Sequence, residues 1–147
     1  MIPVSYVLSV TVSPSDIDEF DHVNNLVYVK WIQDVAVAHS TALGLGYAQY
    51  LARRQSFIVR RHEVDYLRPV LRGEKIDVET RITHIGPASS TRQTEIRRAD
   101  SGELVARAMT GWAYVDLLRN RPVRIPDDIR ASFPLDEPFC WAATNKV

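Results

Sequence analysis

Hydrophobic and polar positions change their rhythm twice along this chain. Residues 5–12 are rich in β-branched side chains and stop at Ser13-Pro14-Ser15, which predicts a strand. Over 25–43 the rhythm becomes helical. Tyr28, Trp31, Ile32, Val35 and His39 fall on one stripe. Val27, Val29, Ala36, Val37 and Ala38 widen that stripe until little of the helix is polar, so the pattern predicts a buried helix. At 1.5 Å per residue it would run roughly 28 Å. Gly44 and Gly46 supply its stop.

After an irregular or helical piece at 47–54, the alternation of strands returns. Residues 56–66 form one, ended by Arg68-Pro69. Ile76, Val78, Thr80 and Ile82 alternate with Asp77, Glu79, Arg81 and Thr83, the mark of a half-buried strand. Gly86-Pro87 breaks it. A more polar strand at 89–98, a turn at Asp100-Ser101-Gly102 and a long strand at 104–117 follow. A second turn at 119–122 leads to a short helix at 127–131. The expected architecture is α+β: one strand, one buried helix, then about four antiparallel strands. A sheet curled around the central helix satisfies it, with the first strand pairing among the late ones. Such a sheet leaves open edges, which dimerisation commonly covers.

Length and composition narrow the partners. The 147 residues suit a single domain, taken as 1–133 with a C-terminal tail at 134–147. Eighteen basic residues balance eighteen acidic ones, so charge argues for neither nucleic acid nor a membrane surface. The lone Cys140 precludes an intramolecular disulfide and fits a reducing compartment. Residues 2–6 lack a basic n-region and a long apolar run, so we expect no signal peptide and a cytoplasmic protein. Asp16, Asp18 and Asp21 resemble the opening of a calcium loop. Phe20 at the fifth position, no Gly at the sixth and Val27 in place of the final Glu break that pattern. No His/Cys group has zinc spacing, and no Gly-x-Ser-x-Gly elbow occurs. Neither metal nor cofactor is expected.

The densest chemistry lies in residues 16–25, where Asp16, Asp18, Asp21, His22, Asn24 and Asn25 precede the helix. Helix N-termini carry unpaired N–H groups and the positive end of a dipole, which suit an anion or a developing oxyanion. A carboxylate facing them is a candidate base or nucleophile toward a carbonyl. Asp18 serves either that purpose or a turn cap. Asp16 holds the turn or orients the site. His22 is read as a structural or substrate-orienting residue. Asn24 and Asn25 are caps whose side chains can also orient water or a carbonyl. Tyr28 and Trp31 read as core and His39 as a satisfied buried histidine. Arg60 and Arg61 are adjacent on a strand, as are Arg97 and Arg98. Each pair sends one member to each face, leaving one able to meet a phosphate.

Three segments resemble the hotdog-fold thioesterases of the 4-hydroxybenzoyl-CoA thioesterase and YbgC/FadM type. The first is Asp16-x-Asp18-x-x-x-His22-Val23-Asn24-Asn25-x-x-Tyr28-x-x-Trp31. The second is Arg61-His62-Glu63-Val64-Asp65-Tyr66-Leu67-Arg68-Pro69 with Gly73-Glu74 behind it. The third ends the long strand, Gly111-Trp112-Ala113-Tyr114-Val115-Asp116, with Arg121-Pro122 and Ile125-Pro126 after it. The resemblance spans most of residues 5–133 and implies a hotdog fold of about five strands. It implies cleavage of an acyl-CoA thioester to free acid and coenzyme A. The family's essential acid matches Asp18, and its thioester-polarising N–H matches Asn25. Asp16 and His22 accompany them, with Asn24, Tyr28, Arg60 and Arg61 as candidate substrate contacts. Coenzyme A generally sits at a subunit interface in this family, which implies a homodimer or homotetramer. The family usually has Gly where this chain has Asp21, which places a third carboxylate beside the site. The rival expectation is a hotdog protein that binds acyl-CoA or an acyl carrier without turnover. A dehydratase is a weaker third, since its usual acid/base pair includes a histidine on the helix approach.

Overall fold

The computed structural model describes residues 4–141. The alternating segments become β1 (Ser5–Thr11), β2 (Gln55–Tyr66), β3 (Lys75–Ile85), β4 (Ser89–Arg98) and β5 (Leu104–Asp116). The helical segments become α1 (Asn25–Ala42), α2 (Tyr47–Arg53) and α3 (Asp127–Ser132). A two-residue strand, β6 (Arg121–Pro122), was not anticipated. It pairs with the end of β5, folding the expected turn back onto the sheet.

The sheet runs β1-β3-β4-β5-β2, antiparallel throughout, and curls around α1 as a hotdog. The first strand does pair late, with Tyr6 opposite Thr80 and Leu8 opposite Val78. β2 stands at the far edge, with β5 as its one neighbour. Ile76, Val78, Thr80 and Ile82 of β3 are all buried, as their alternation requires.

Two apolar clusters lie under the sheet. Tyr28, Trp31, Ile32 and Val35 of α1 pack with Ile76, Val78, Ile96 and Val105. Leu45, Tyr50, Ile82, Tyr114, Ile129 and Phe133 form the second, at the other end of the helix. Burying one Leu- or Ile-sized side chain contributes about 1.5–3 kcal/mol, so these clusters dominate stability. α1 is not buried all round, however. Tyr28, Trp31, Ile32, Val35, Ala36, His39 and Ser40 face the sheet, while Leu26 is 76% exposed and Val29 and Val37 are half-buried. A single curled sheet covers one side of a helix, and the other side is left for whatever packs there.

The polar strand β4 is buried on both faces from Arg92 to Ile96. The described part of the C-terminal segment explains this. The Phe139 N–H donates to Gln93 Oε1 at 2.8 Å, and the Trp141 indole N–H donates to Glu95 Oε2 at 2.7 Å. Arg81 lies 3.9 Å over the Phe139 ring. Residues 134–141 are thus packed against the outer face of the sheet; 142–147 lie outside the described residues.

Candidate active site

The acid-rich loop closes on itself before α1 begins. The Asp18 N–H donates to the His22 carbonyl at 2.8 Å, and Ile17 and Val23 form an antiparallel bridge. The Asn24 N–H donates to the Asp16 carbonyl at 2.8 Å. The loop is then clipped to the segment after β2. Val23 N–H donates to Val70 O at 2.9 Å, and His22 bridges Leu71. From below, the Tyr28 hydroxyl accepts the Val70 N–H at 3.1 Å. Tyr28 is buried, edge-on to Trp31 and to Tyr66, and burial raises its phenol pKa above the ordinary value. That hydroxyl therefore stays a neutral hydrogen-bonding group.

These contacts wall a cleft of 620 Å³, lined by Asp18, Phe20, His22, Asn24, Asn25 and Tyr28 with Tyr66, Arg68 and Pro69 opposite. Asp18 Oδ1 accepts the Phe20 N–H at 2.8 Å and the His22 N–H at 3.3 Å. Those two bonds orient the carboxylate by its own backbone, and Oδ2 has no hydrogen-bond partner among the described residues. The first helical turn has few donors left. Asn24 caps it, its Oδ1 accepting the Leu26 N–H at 2.9 Å, and its carbonyl accepts the Val27 N–H at 2.9 Å. The Asn25 N–H carries no hydrogen bond among the described residues. It is the open donor at the positive end of α1. The Tyr66 hydroxyl donates to the Asn25 carbonyl at 3.3 Å, tying this end of α1 to the end of β2.

The other sequence candidates divide. Asn24, Tyr28 and His22 do line the cleft. Asp16 does not; its Oδ2 accepts the Ser13 N–H at 2.9 Å and holds the preceding turn. Arg60 and Arg61 also stand outside it. The expectation that the pair sends one member to each face is corrected, because β2 shifts register between Val59 and Arg61 and both side chains are exposed. Arg61 pairs with Glu63 on the same strand. Arg97 and Arg98 are engaged with Glu95, and with Glu74 and Glu103. The cation that does reach the cleft is Arg68, whose Nη1 donates to the carbonyl of the preceding residue, Leu67, at 2.8 Å. Its position beside Pro69, at the strand end, is the signal that it sits at a corner.

The family model of the thioesterase-like superfamily matches residues 12–133. The chain belongs to that superfamily. Solved members resemble it at low identity. A 1,4-dihydroxy-2-naphthoyl-CoA thioesterase from Synechocystis superposes with a TM-score of 0.80 at 17% identity, over 87% of this chain and 94% of that one. A Staphylococcus aureus protein solved in complex with CoA superposes with a TM-score of 0.82 at 17% identity, over 90% of this chain and 83% of that one. These likenesses are of fold. An acyl-[acyl-carrier-protein] hydrolase of Cuphea viscosissima chloroplasts is 27% identical over 104 residues, 67% of this chain. The chain spans only 25% of that relative's length.

Membership of the thioesterase-like superfamily makes Asp21 intelligible. Its φ is +61°, the left-handed region where Gly is unstrained and Asp is among the better-tolerated replacements. Its carboxylate lies 3.2 Å from Arg72 on the surface and does not line the cleft. The third carboxylate is therefore paired at the surface and forms no part of the cleft lining. Sequence reasoning missed a second pair entirely. Arg92 and His39 meet under the sheet, 53 residues apart in the chain, with Arg92 Nη1 donating to His39 Nδ1 at 2.9 Å. No spacing rule anticipates a contact set by strand register.

Proposed function

We propose that the protein hydrolyses acyl thioesters, of coenzyme A or of an acyl carrier protein, to the free acid and thiol. The observation that carries this reading is one open backbone donor, the Asn25 N–H, sharing a cleft with the oriented Asp18 carboxylate. The thioester carbonyl oxygen binds that N–H. Asp18 Oδ2 either attacks the carbonyl carbon or takes a proton from the water that does. The tetrahedral intermediate places its negative oxygen on the Asn25 N–H, at the positive end of α1. Collapse expels the thiolate, which leaves as the thiol once protonated; where Asp18 is the nucleophile, the acyl–Asp18 anhydride left behind is then hydrolysed by water, which releases the free acid and restores the carboxylate. His22 and Arg68, on the cleft wall, are the groups available to orient the substrate and meet its phosphates.

The active unit in this reading is a pair of chains joined along β2. That strand has one neighbour and exposes Ile58 and Tyr66, and the outer side of α1 is half-covered. A phosphate contact by Arg60 or Arg61 then requires the assembly, since neither lines the cleft of its own chain. Sedimentation at micromolar concentration is expected to show a dimer or larger species; a stable monomer would remove the interface.

The test of hydrolysis is a panel of acyl-CoAs incubated with a thiol reagent. Thiol release by the wild type and its loss in Asp18→Asn are expected. Binding of acyl-CoA with no thiol release would make the protein a carrier or sensor instead.

A further inference from the structure

Apart from the Asp18 cleft, a cavity of 370 Å³ opens between α1 and the sheet. Its wall is mostly apolar, from Ala36, Val37, Tyr50, Phe57, Val59 and Trp112. Arg92, only 6% exposed, also lines it. Its Nη1 is taken by His39 Nδ1 at 2.9 Å and by Thr80 Oγ1 at 3.4 Å. A guanidinium only donates, so His39 Nδ1 carries no proton. Nε and Nη2 make no hydrogen bond among the described residues, and no carboxylate pairs with the guanidinium. The acid on the cavity wall, Asp34, is held by Lys30 at 2.6 Å. Burial pulls the Arg92 pKa down to about 10, which still leaves a full cation at neutral pH. The indole N–H of Trp112 is likewise buried without a partner among the described residues.

A buried cation without a counter-ion is costly to hold, and apolar residues of the same size would fill the space at less cost. The open side of the guanidinium meets a cavity large enough for an aliphatic chain. We propose that this cavity receives the acyl group of the substrate and that Arg92 binds a carboxylate at the end of that group. The preferred substrates are thus thioesters of dicarboxylic acids. This rests on the thioester-hydrolase reading and names its substrate class. The paired assembly supplies the reach. When two β2 strands pair antiparallel, the Tyr66 end of one lies toward the Gln55 end of the other. Tyr66 marks the Asn25 cleft, and Phe57 and Val59 line the cavity. Each cavity therefore opens toward the cleft of the second copy.

The test compares suberoyl-CoA with octanoyl-CoA, which differ by the terminal carboxylate, and measures octanoate and octanol binding by calorimetry without turnover. The wild type is expected to favour suberoyl-CoA in kcat/KM by about tenfold or more, the discrimination typical of a hydrogen bond to a charged group. In Arg92→Met that ratio falls to one or below, while Arg92→Lys keeps part of it. Octanoate, but not octanol, should bind the wild type, and binding should vanish in Arg92→Met. If that variant does not fold, Val59→Trp fills the cavity without replacing Arg92 and must abolish octanoate binding. Hydrolysis of octanoyl-CoA as good as that of suberoyl-CoA, with no octanoate binding, overturns the anion site and leaves the hydrolase reading standing. Octanoate binding lost in Arg92→Met, with neither thioester cleaved, does the reverse.

Discussion

The Asp18 cleft and the Arg92 cavity lie toward opposite ends of α1 and are built in opposite ways. The cleft is open and made mostly of one run of chain, residues 18–28, closed by the corner at 66–69. Its polar groups are oriented by neighbouring backbone, as Asp18 is by Phe20 and His22. The cavity is apolar, with residues from α1, α2 and four strands. Its buried charged group, Arg92, is oriented by His39 and Thr80, both distant in sequence. In the proposed reading, the geometry for bond-making is written locally, while the geometry that sorts acyl groups is written by packing. Substitutions in the cleft should then change rate, and substitutions in the cavity should change preference.

The largest effect expected is from Asp18→Asn. The amide oxygen still accepts the Phe20 and His22 N–H groups, so the loop keeps its shape and the melting temperature should barely move. Turnover should fall about 10²–10⁴-fold, the range for a lost acid–base group, with the same ranking of acyl-CoAs. A changed ranking would mean that cleft and cavity are not separable. Next comes Asn25→Pro, which deletes the open N–H at a first-turn position that proline tolerates. Against the control Asn25→Ala, kcat should drop about 10²–10³-fold with a smaller change in KM. Equal rates in two folded variants would assign the oxyanion to another group.

Smaller effects probe what holds the cleft in place. Tyr28→Phe leaves the buried Val70 N–H unpaired and should cost about 1–3 kcal/mol in denaturant unfolding. An unchanged midpoint would show that water or a relaxed loop replaces the hydroxyl. The smallest concerns His62, on β2 between the Tyr66 end and the cavity. Its Nδ1 meets Thr110 Oγ1 at 3.0 Å, its Nε2 is buried without a partner among the described residues, and burial lowers its pKa from the ordinary 6.5. Below 6.5 the unfolded chain binds this proton more readily than the fold does. The stability is therefore fully present above that value and is lost as pH falls toward the lowered pKa. Thermal melts between about pH 8 and pH 5 should show the wild type losing more than His62→Gln; parallel curves would remove His62 as the cause.

Much of the fold was legible in the residues. The strand over 89–98 and the helix starting at Asn25 stand where alternation and capping put them. Asn24 is the cap, and His39 is buried, as its place on the stripe required. Of the site, Asp18, His22, Asn24, Asn25 and Tyr28 share one cleft because they are close in sequence and the loop hydrogen-bonds to itself. The arginines were not legible. Alternation assigned Arg60 and Arg61 to opposite faces, but one bulge exposed both. Arg92, unremarkable in a polar strand, became the buried cation.

By itself the sequence determined the order and type of the elements, the capped helix start and the loop that carries the acids. Those depend on interactions between residues a few positions apart, which periodicity records directly. Only the tertiary structure decided that β4 is covered on its outer face by residues 139–141, that α1 is left half-covered, and that Arg92 meets His39 over an apolar cavity. Those depend on strand register and on how far the sheet curls. Both are set by the summed packing of the whole chain, so no single segment of it holds the answer.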